Sequence, residues 1–172
     1  RSYAIREQIN PFCGLYRRSA YLRAGGYDED PCVLYNEDVA FHIRLAFAGL
    51  KFGAESATSI VNYRREGSMS AGSRLKCTQA HYHVMRKSLE LAGADAYGKE
   101  IGAKLWAVAG QLASFKDWRH ADDAVELAAR LVAPPRQAGS AWFRAMARLA
   151  PRAALRTRET AIRAFRPNLR AT

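Results

Sequence analysis

The chain has little cysteine and no long apolar run. The first absence argues against a disulfide-rich or zinc-binding protein, and the second argues against a transmembrane helix. Among its 172 residues are three cysteines, Cys13, Cys32 and Cys77, which are widely spaced and form no Cys-x-x-Cys pair. We therefore expect neither a disulfide framework nor a zinc site, but a reducing compartment. No stretch reaches the roughly 18 consecutive apolar residues that a transmembrane helix needs. The first residue is Arg1 and no secretory signal follows it, so we expect a piece of a longer protein.

Acidic residues are scarce in the last quarter of the chain. Residues 134–172 hold nine arginines and one acid, Glu159, which gives a net charge of +8. Residues 1–133 hold 18 basic and 15 acidic side chains, a net charge of +3. Because the body is nearly balanced, the charge does not predict a nucleic-acid surface across it.

Hydrophobic residues make up 49% of the chain, enough for one domain with a core and an appendage. Three segments differ in pattern. Residues 1–72 mix strand-like and helix-like runs, and residues 73–133 have helical periodicity throughout. Residues 134–172 form a linker followed by a basic amphipathic helical tail.

The first segment contains the most specific local signals. PFCGLYRR (11–18) and TSIVNY (58–63) are rich in β-branched, aromatic or aliphatic residues, which predicts a strand in each. Between them, Asn36 is expected to be the N-cap of a helix that carries Glu37 and Asp38 in its first turn and ends at Gly49.

The second and third segments are predicted to be helical. LWAVAGQLA (105–113) and ADDAVELAARLVA (121–133), joined by a short connection, indicate an antiparallel helix pair. In the tail, arginines recur every four residues, and Pro151 is expected to kink a helix or to begin a second one. Another side of that helix is predicted to carry the apolar residues Trp142, Phe143, Met146, Leu149, Ala150 and Ala153.

Two adjacent carboxylates at the start of an apolar helix allow two interpretations. Acids are favoured in the first turn, because the free N–H groups and the helix dipole stabilise a negative charge by about 0.3–1 kcal/mol. The same stabilisation keeps the carboxylate ionised, and an ionised carboxylate within reach of a substrate hydroxyl can act as a general base. Glu37 and Asp38 alone therefore do not separate a helix start from a catalytic pair.

The order of several motifs is more specific than any one of them. CGLYRRSAYLRAGGYDED (13–30), NEDVAFHIRLAFAGLKF (36–52) and TSIVNYRREGSMS (58–70) follow one another in the chain. Over residues 10–70, this order resembles the C-terminal half of a family 2 glycosyltransferase. That family places an Arg-Arg-Ser-Ala helix start, a Gly-Gly-Tyr-Asp-Glu turn, a Glu-Asp helix start, a strand ending in Tyr-Arg and a Ser-x-Ser loop in the same sequence.

The resemblance implies an α/β fold, the C-terminal half of a GT-A (Rossmann-like) nucleotide-sugar transferase, followed here by the helical extension. It also implies an inverting transfer from a nucleotide-diphospho-sugar to a saccharide or lipid-linked acceptor, in bacterial polysaccharide or cell-envelope synthesis. In that reaction Asp38 would be the general base that deprotonates the acceptor hydroxyl, and Glu37 would help to orient the acceptor.

The family further implies a divalent metal, Mg²⁺ or Mn²⁺, which balances the charge of the diphosphate. Its Asp-x-Asp ligands belong to the family's N-terminal half, and no Asp-x-Asp fitting that role occurs in this sequence. We therefore expect the metal in the full-length enzyme, none bound to this chain, and no activity from the isolated chain.

Five further residues are candidates for substrate binding by the same resemblance. Arg64 and Arg65 would contact the diphosphate through paired hydrogen bonds, although strand-end arginines are equally often solvated. Ser68 would lie on an acceptor-side loop. Cys13 and Gly14 would lie near the sugar, and a buried, inert thiol is the alternative for Cys13.

The histidines give weaker signals. His81 and His83 are two residues apart and do not share a helix face, so we expect no metal there. His42 lies one turn after Asp38, where it could contact the carboxylate or simply pack.

The tail leaves three interpretations open for residues 141–170. It could bind an anionic membrane surface, which would suit an enzyme in the cytoplasm that is peripheral on the inner face of the cytoplasmic membrane. Its apolar side could instead dock on the helical segment and leave the arginines solvated. A nucleic-acid role is the third and least favoured interpretation, because no aromatic or base-reading pattern accompanies the charge, and nucleic acid is not an expected partner. A different class of function also remains open, a non-catalytic helical module that binds a membrane or polymer through this tail.

Overall fold

Helices form all the regular structure of the described residues. The structure, a computed structural model, describes residues 1–7, 9, 14–53, 63 and 72–170. Eight α-helices lie in these ranges: α1 (Ser2–Arg6), α2 (Arg18–Arg23), α3 (Glu37–Phe47), α4 (Arg74–Ala92), α5 (Ala94–Ser114), α6 (Trp118–Leu131), α7 (Ala141–Leu149) and α8 (Pro151–Phe165). Short 3₁₀ turns occur at Pro31–Val33, Arg136–Ala138 and Pro167–Leu169. In the same ranges, no helix has both the length and the apolar character needed to cross a bilayer.

The predicted α/β fold is wrong. The described residues are 74% helical and none of them lies in a strand. Residues 14–17 of the first predicted strand have no regular structure and lead directly into α2. Residues 58–62 of the second lie outside the described ranges. Strand-favouring side chains produce a strand only where a neighbouring strand pairs with their backbone groups, and no described residue supplies such a neighbour.

Two compact units divide the chain, Arg1–Ala92 and Gly93–Thr172. The division falls at the junction of α4 and α5, inside the predicted helical extension of residues 73–133. Gly93 occupies this junction with a φ of 75°, a left-handed conformation that favours glycine.

The first unit is organised around α3. Phe41, Ile43 and Leu45 are at most 1% exposed, and both α1 and α4 pack against this helix. Gly49 follows the end of α3 with a φ of 86°, as expected for a glycine that terminates a helix. The predicted position of Asn36 immediately before α3 and the stop at Gly49 are confirmed, although the Asn36 side chain makes no capping hydrogen bond.

The second unit begins with the antiparallel pair α5 and α6, which confirms the predicted helix hairpin. The two helices are in close contact at Gly102, where an added Cβ would lie 2.9 Å from Leu131 Cβ and 2.7 Å from Cγ1 of Val132, the residue that follows α6. The indole N–H of Trp106 donates a hydrogen bond to the Val132 carbonyl at 3.1 Å. A residue without a side chain therefore lets the end of α6 lie directly on α5.

The tail forms α7 and α8, and Pro151 begins α8 rather than kinking one long helix. α8 packs on both α5 and α6. The tail buries Phe143, Ala147, Ala154 and Leu155, each at most 3% exposed. The predicted grouping of Trp142 and Leu149 with Phe143 is wrong, because these two side chains are 60% and 90% exposed.

Glu159 on α8 is a buried carboxylate held by two arginines. The residue is 2% exposed. One carboxylate oxygen lies 2.9 Å from Arg163 Nε and the other 2.9 Å from an Arg170 guanidinium nitrogen. Arg163 also donates to the Ser114 carbonyl at the end of α5 at 2.7 Å. Glu159 thus ties the end of the tail to the helix hairpin.

Replacing Gly102 by alanine tests the close approach. We expect Gly102→Ala to lower the free energy of unfolding by about 1–2 kcal/mol, because overpacking outweighs the higher helix propensity of alanine. Gly110→Ala on the same helix is the control, since its Cβ would meet only the Arg158 guanidinium at 3.2 Å. It should be neutral or stabilising by up to about 1 kcal/mol. All three tryptophans lie in the second unit, so urea unfolding followed by tryptophan fluorescence measures the difference.

Glu159→Gln tests the buried ion pairs. We expect a loss of about 1–3 kcal/mol, because two guanidinium groups lose a charged partner inside the unit. Glu126→Gln is the matched control: Glu126 pairs with Arg152 at 2.6 Å, but their side chains are 34% and 50% exposed, so its loss should stay below about 1 kcal/mol. Equal losses in the same fluorescence assay would contradict the role given to Glu159.

Candidate active site

The start of α3 is fixed by a residue that does not cap it. Asn36 occupies the N-cap position, but its side chain makes no capping hydrogen bond. It is 6% exposed, and its Nδ2 donates to the Cys77 carbonyl on α4 at 2.6 Å. Tyr35 precedes it with a φ of 83°, a conformation uncommon for a bulky residue. The chain therefore enters α3 through a constrained turn anchored to α4.

The acidic turn before α3 is also attached to α4. Lys87 Nζ lies 2.9 Å from an Asp28 carboxylate oxygen and 2.8 Å from one of Asp30. The hydrogen bond from Lys87 lowers the pKa of Asp30 to about 2. Asp30 also accepts from the Cys32 backbone N–H at 2.9 Å. These two acids serve to hold the turn, which leaves Glu37 and Asp38 as the acids of the site.

Asp38 is a half-buried carboxylate whose pKa is raised above its ordinary value of 3.8. Burial is the largest cause, and the negative charge of Glu37 adds to it. Backbone N–H groups at the start of α3 lower the pKa, as the helix-start argument expects, but by less than burial raises it. A carboxylate with a raised pKa is a stronger proton acceptor than an exposed one, and this is the property a general base requires.

Glu37 has one carboxylate oxygen that is buried without a hydrogen-bond partner among the described residues. A buried, unpaired acceptor costs free energy, so the start of α3 contains a polar atom that the described residues leave unsatisfied. Burial raises the pKa of the Cys77 thiol on α4, and the charges of Glu37 and Asp38 add to the effect, so both carboxylates lie within electrostatic range of this thiol.

An aromatic cluster lies beside the acidic pair and is centred on Phe41. The ring centroids of Tyr16, Tyr21 and Tyr27 lie 5.4, 5.2 and 4.7 Å from that of Phe41. Phe52 joins the cluster through His42, at 6.2 Å between ring centroids. Tyr27 and Phe52 are both 42% exposed. Asp38 contributes to the raised pKa values of Tyr16 and Tyr27, for which burial is the largest cause. Tyr27 is therefore a partly exposed aromatic ring within electrostatic range of the Asp38 carboxylate.

His42 is a buried histidine hydrogen-bonded to Tyr16. Its residue is 1% exposed, and its Nε2 pairs with the Tyr16 hydroxyl. Burial lowers the pKa of His42 by more than the charge on Asp38 raises it, so the neutral imidazole is favoured. Its Nδ1 has no hydrogen-bond partner within the part of the chain that the structure describes. His42 and Tyr16 together form a polar pair inside the aromatic cluster.

Three of the seven predicted site residues lie within the described ranges, and the structure places two of them, Glu37 and Asp38, in the first turn of α3. Glu37 and Asp38 begin α3, and a Cβ on Gly14 would overlap the Tyr16 ring. The other four, Cys13, Arg64, Arg65 and Ser68, lie outside the described residues. Sequence reasoning did not find the site residues Tyr16, Tyr21 and Tyr27, because their proximity to Asp38 comes from tertiary packing. It placed Asn36 at the start of the helix but did not predict its hydrogen bond to Cys77. A tyrosine on each side of the Gly-Gly turn was the one local signal that could have suggested Tyr21 and Tyr27.

The described residues do not fit the divalent metal that the resemblance implies. Within residues 1–7, 14–53 and 72–170, no three His, Cys, Asp or Glu side chains are grouped to hold a metal ion. The acids Asp28 and Asp30 are already paired with Lys87. No step is therefore assigned to a metal at this site.

Comparisons with known proteins identify no relative of this chain. A scan against protein-family models gave no match, and neither did searches of curated proteins and of solved structures.

Removing the charge of Asp38 should stabilise the protein at neutral pH. A raised pKa means that folding favours the protonated acid, so the contribution of Asp38 is most favourable below the unfolded pKa. It is lost as pH rises through the folded pKa. Asp38→Asn should therefore have a higher unfolding temperature than the wild type at neutral pH, and the gap should close in acid.

Asp30→Asn is the control with the opposite sign. The pKa of Asp30 is lowered to about 2, so its stabilising contribution is present above the unfolded pKa and is lost as pH falls toward 2. This variant should be less stable than the wild type at neutral pH. Calorimetric unfolding across the acid-to-neutral range measures both variants. An Asp38→Asn protein that is destabilised at neutral pH would contradict the burial of this carboxylate.

Proposed function

We propose that this chain provides the acceptor side of an inverting glycosyltransferase, with Asp38 as the general base. The observation that carries the proposal is the desolvated Asp38 carboxylate, with its raised pKa, beside a partly exposed aromatic cluster. The order of motifs over residues 10–70 supports the same reaction class. The donor is a nucleotide-diphospho-sugar, and the acceptor is a saccharide or a lipid-linked saccharide.

The Asp38 carboxylate accepts the proton of the acceptor hydroxyl in this reaction. As the proton leaves, the acceptor oxygen forms a bond to the anomeric carbon, and the bond from that carbon to the diphosphate oxygen breaks. The diphosphate leaves with the bonding electrons. Because attack and departure occur on opposite faces of the sugar, the configuration at the anomeric carbon inverts.

The groups around Asp38 suit a sugar hydroxyl as substrate. The carboxylate of Glu37, which is adjacent to Asp38 at the start of α3, accepts a hydrogen bond from a neighbouring acceptor hydroxyl, which orients the acceptor. The exposed faces of Tyr27 and Phe52 provide apolar surface for the carbon face of a sugar ring. A site that combines apolar walls with a few fixed polar groups is typical for small-molecule recognition.

A non-catalytic module remains the second candidate, and the exposed apolar and basic residues of the tail favour it. Such a module would bind a surface or polymer through the second unit, in the cytoplasm or at the inner face of the cytoplasmic membrane. It would give no role to the desolvated carboxylate or to Glu37. Sugar transfer that depends on Asp38 separates the two candidates.

Asp38→Asn in the complete product of the gene that encodes this chain tests the proposal. We expect the turnover number for sugar transfer to fall by roughly 10²–10⁴-fold, the usual contribution of a general base. The affinity for the nucleotide-sugar donor, measured by calorimetric titration, should stay unchanged, because Asp38 acts on the acceptor.

Asp95→Asn is the matched control. Asp95 is an exposed acid in the first turn of α5 in the second unit, so the substitution makes the same change at another helix start. Its turnover should equal that of the wild type. An Asp38→Asn enzyme with unchanged turnover would show that Asp38 is only a helix-start residue.

A further inference from the structure

The exposed side of α7 carries apolar side chains that are mostly open to solvent. Phe143 and Ala147 point into the second unit, at 3% and 0% exposure. At about 100° per residue, Trp142, Ala145 and Leu149 share the opposite side of the helix within an arc of about 60°. These three residues form the α7 stripe. All three are exposed, and Leu149 is 90% exposed.

Arginines border the α7 stripe along one edge. On the same helical projection, Arg144 and Arg148 lie between the buried side and the stripe. Arg144 donates to the Gly139 carbonyl at 2.7 Å, which holds it near the start of α7. Arg148 is exposed. A stripe with Trp and Leu at its centre and arginines at its edge is the arrangement of a helix that lies in a membrane interface.

The exposed surface of the tail has no acidic side chain. Glu159 is the one acid in residues 134–172, and it is buried against Arg163 and Arg170. Arg152 and Arg156 are paired with acids on α6. The remaining exposed arginines, Arg136, Arg148 and Arg166, therefore add positive charge to the exposed surface of the tail, and no acid of the tail compensates it. That surface is complementary to an anionic partner.

We propose that the α7 stripe docks on an anionic lipid surface. The stripe enters the interface between headgroups and acyl chains, and the arginines beside it contact lipid phosphates. The protein is held at the bilayer surface without spanning it. The proposal concerns the second unit alone and does not rest on Asp38.

The other occupants fit the stripe less well. A second copy of this chain would bring another net charge of +11 against the same basic surface. A nucleic acid would attract the arginines, but an aliphatic side chain as exposed as Leu149 gains little from phosphates or base edges. An anionic lipid surface is the partner that both attracts the positive charge and buries the exposed leucine.

Vesicle co-sedimentation tests the proposal. We expect the wild-type chain to bind phosphatidylcholine vesicles that contain about 30% phosphatidylglycerol, to bind pure phosphatidylcholine at least about tenfold more weakly, and to bind less as salt rises. Leu149→Glu should weaken binding to the anionic vesicles by about tenfold or more, because it removes an inserted side chain and adds a negative charge. The substitution should not disturb folding, because Leu149 is almost fully exposed.

Leu91→Glu is the matched control. Leu91 is 51% exposed on α4 in the first unit, so the variant has the same side-chain change and the same net charge. Its vesicle binding should equal that of the wild type. Equal losses in both variants would show that net charge, rather than the stripe, governs binding, and would overturn the proposal.

Two further outcomes would also overturn it. If the wild type does not sediment with anionic vesicles but binds single-stranded DNA, and Leu149→Glu binds that DNA no more weakly than Leu91→Glu, the surface recognises polyanions through charge alone. If vesicle binding is absent and light scattering detects a dimer that Leu149→Glu dissociates, the stripe is a contact between copies.

Discussion

The candidate site depends on one hydrogen bond, from the Asn36 side chain to the Cys77 carbonyl. An asparagine at the N-cap normally uses its side chain to satisfy the first N–H groups of its own helix. Asn36 instead binds a carbonyl on α4, which leaves those N–H groups to the Asp38 carboxylate. The same contact holds the start of α3 inside the first unit, so the carboxylates are partly removed from water. The hydrogen bond from Asn36 therefore both anchors the start of α3 and contributes to the desolvation of the Asp38 carboxylate. Both effects follow because the Asn36 side chain does not cap its own helix.

Local patterns predicted α3, the α5–α6 hairpin and the start of α8 at Pro151, because caps, glycine stops and helical periodicity act within a few residues. The two predicted strands depend instead on contacts that are not local in sequence. A strand depends on a partner that is distant in sequence, and composition does not report whether that partner exists. The aromatic cluster around Phe41 is also a product of tertiary contact, since Tyr16, Tyr27 and Phe52 come from three segments that periodicity treats as unrelated.

In the tail, the net charge read from the sequence does not show how many arginines are free, because several of them form ion pairs in the structure. A net charge of +8 over residues 134–172 suggests a uniformly basic helix, yet Arg152, Arg156, Arg163 and Arg170 are used in ion pairs within the second unit. The predicted apolar side also divides, with Phe143 inside and Trp142 and Leu149 outside. Two adjacent residues on a helix differ by about 100°, so a list of apolar residues does not define a face until the burial of each is known.

The sharing of one ammonium group between Asp28 and Asp30 has a consequence for the reactivity of Lys87. A lysine nucleophile must first lose its proton. Burial lowers the pKa of Lys87, but the hydrogen bonds and charges of the two carboxylates together raise it by more. Acylating reagents that attack surface amines should therefore label it later than its exposure of 37% would suggest. A chain that did become acylated there would carry two uncompensated carboxylates in the turn that leads to Asn36. Chemical modification of Lys87 would thus weaken the attachment of this turn to α4, and through the turn it would affect the start of α3.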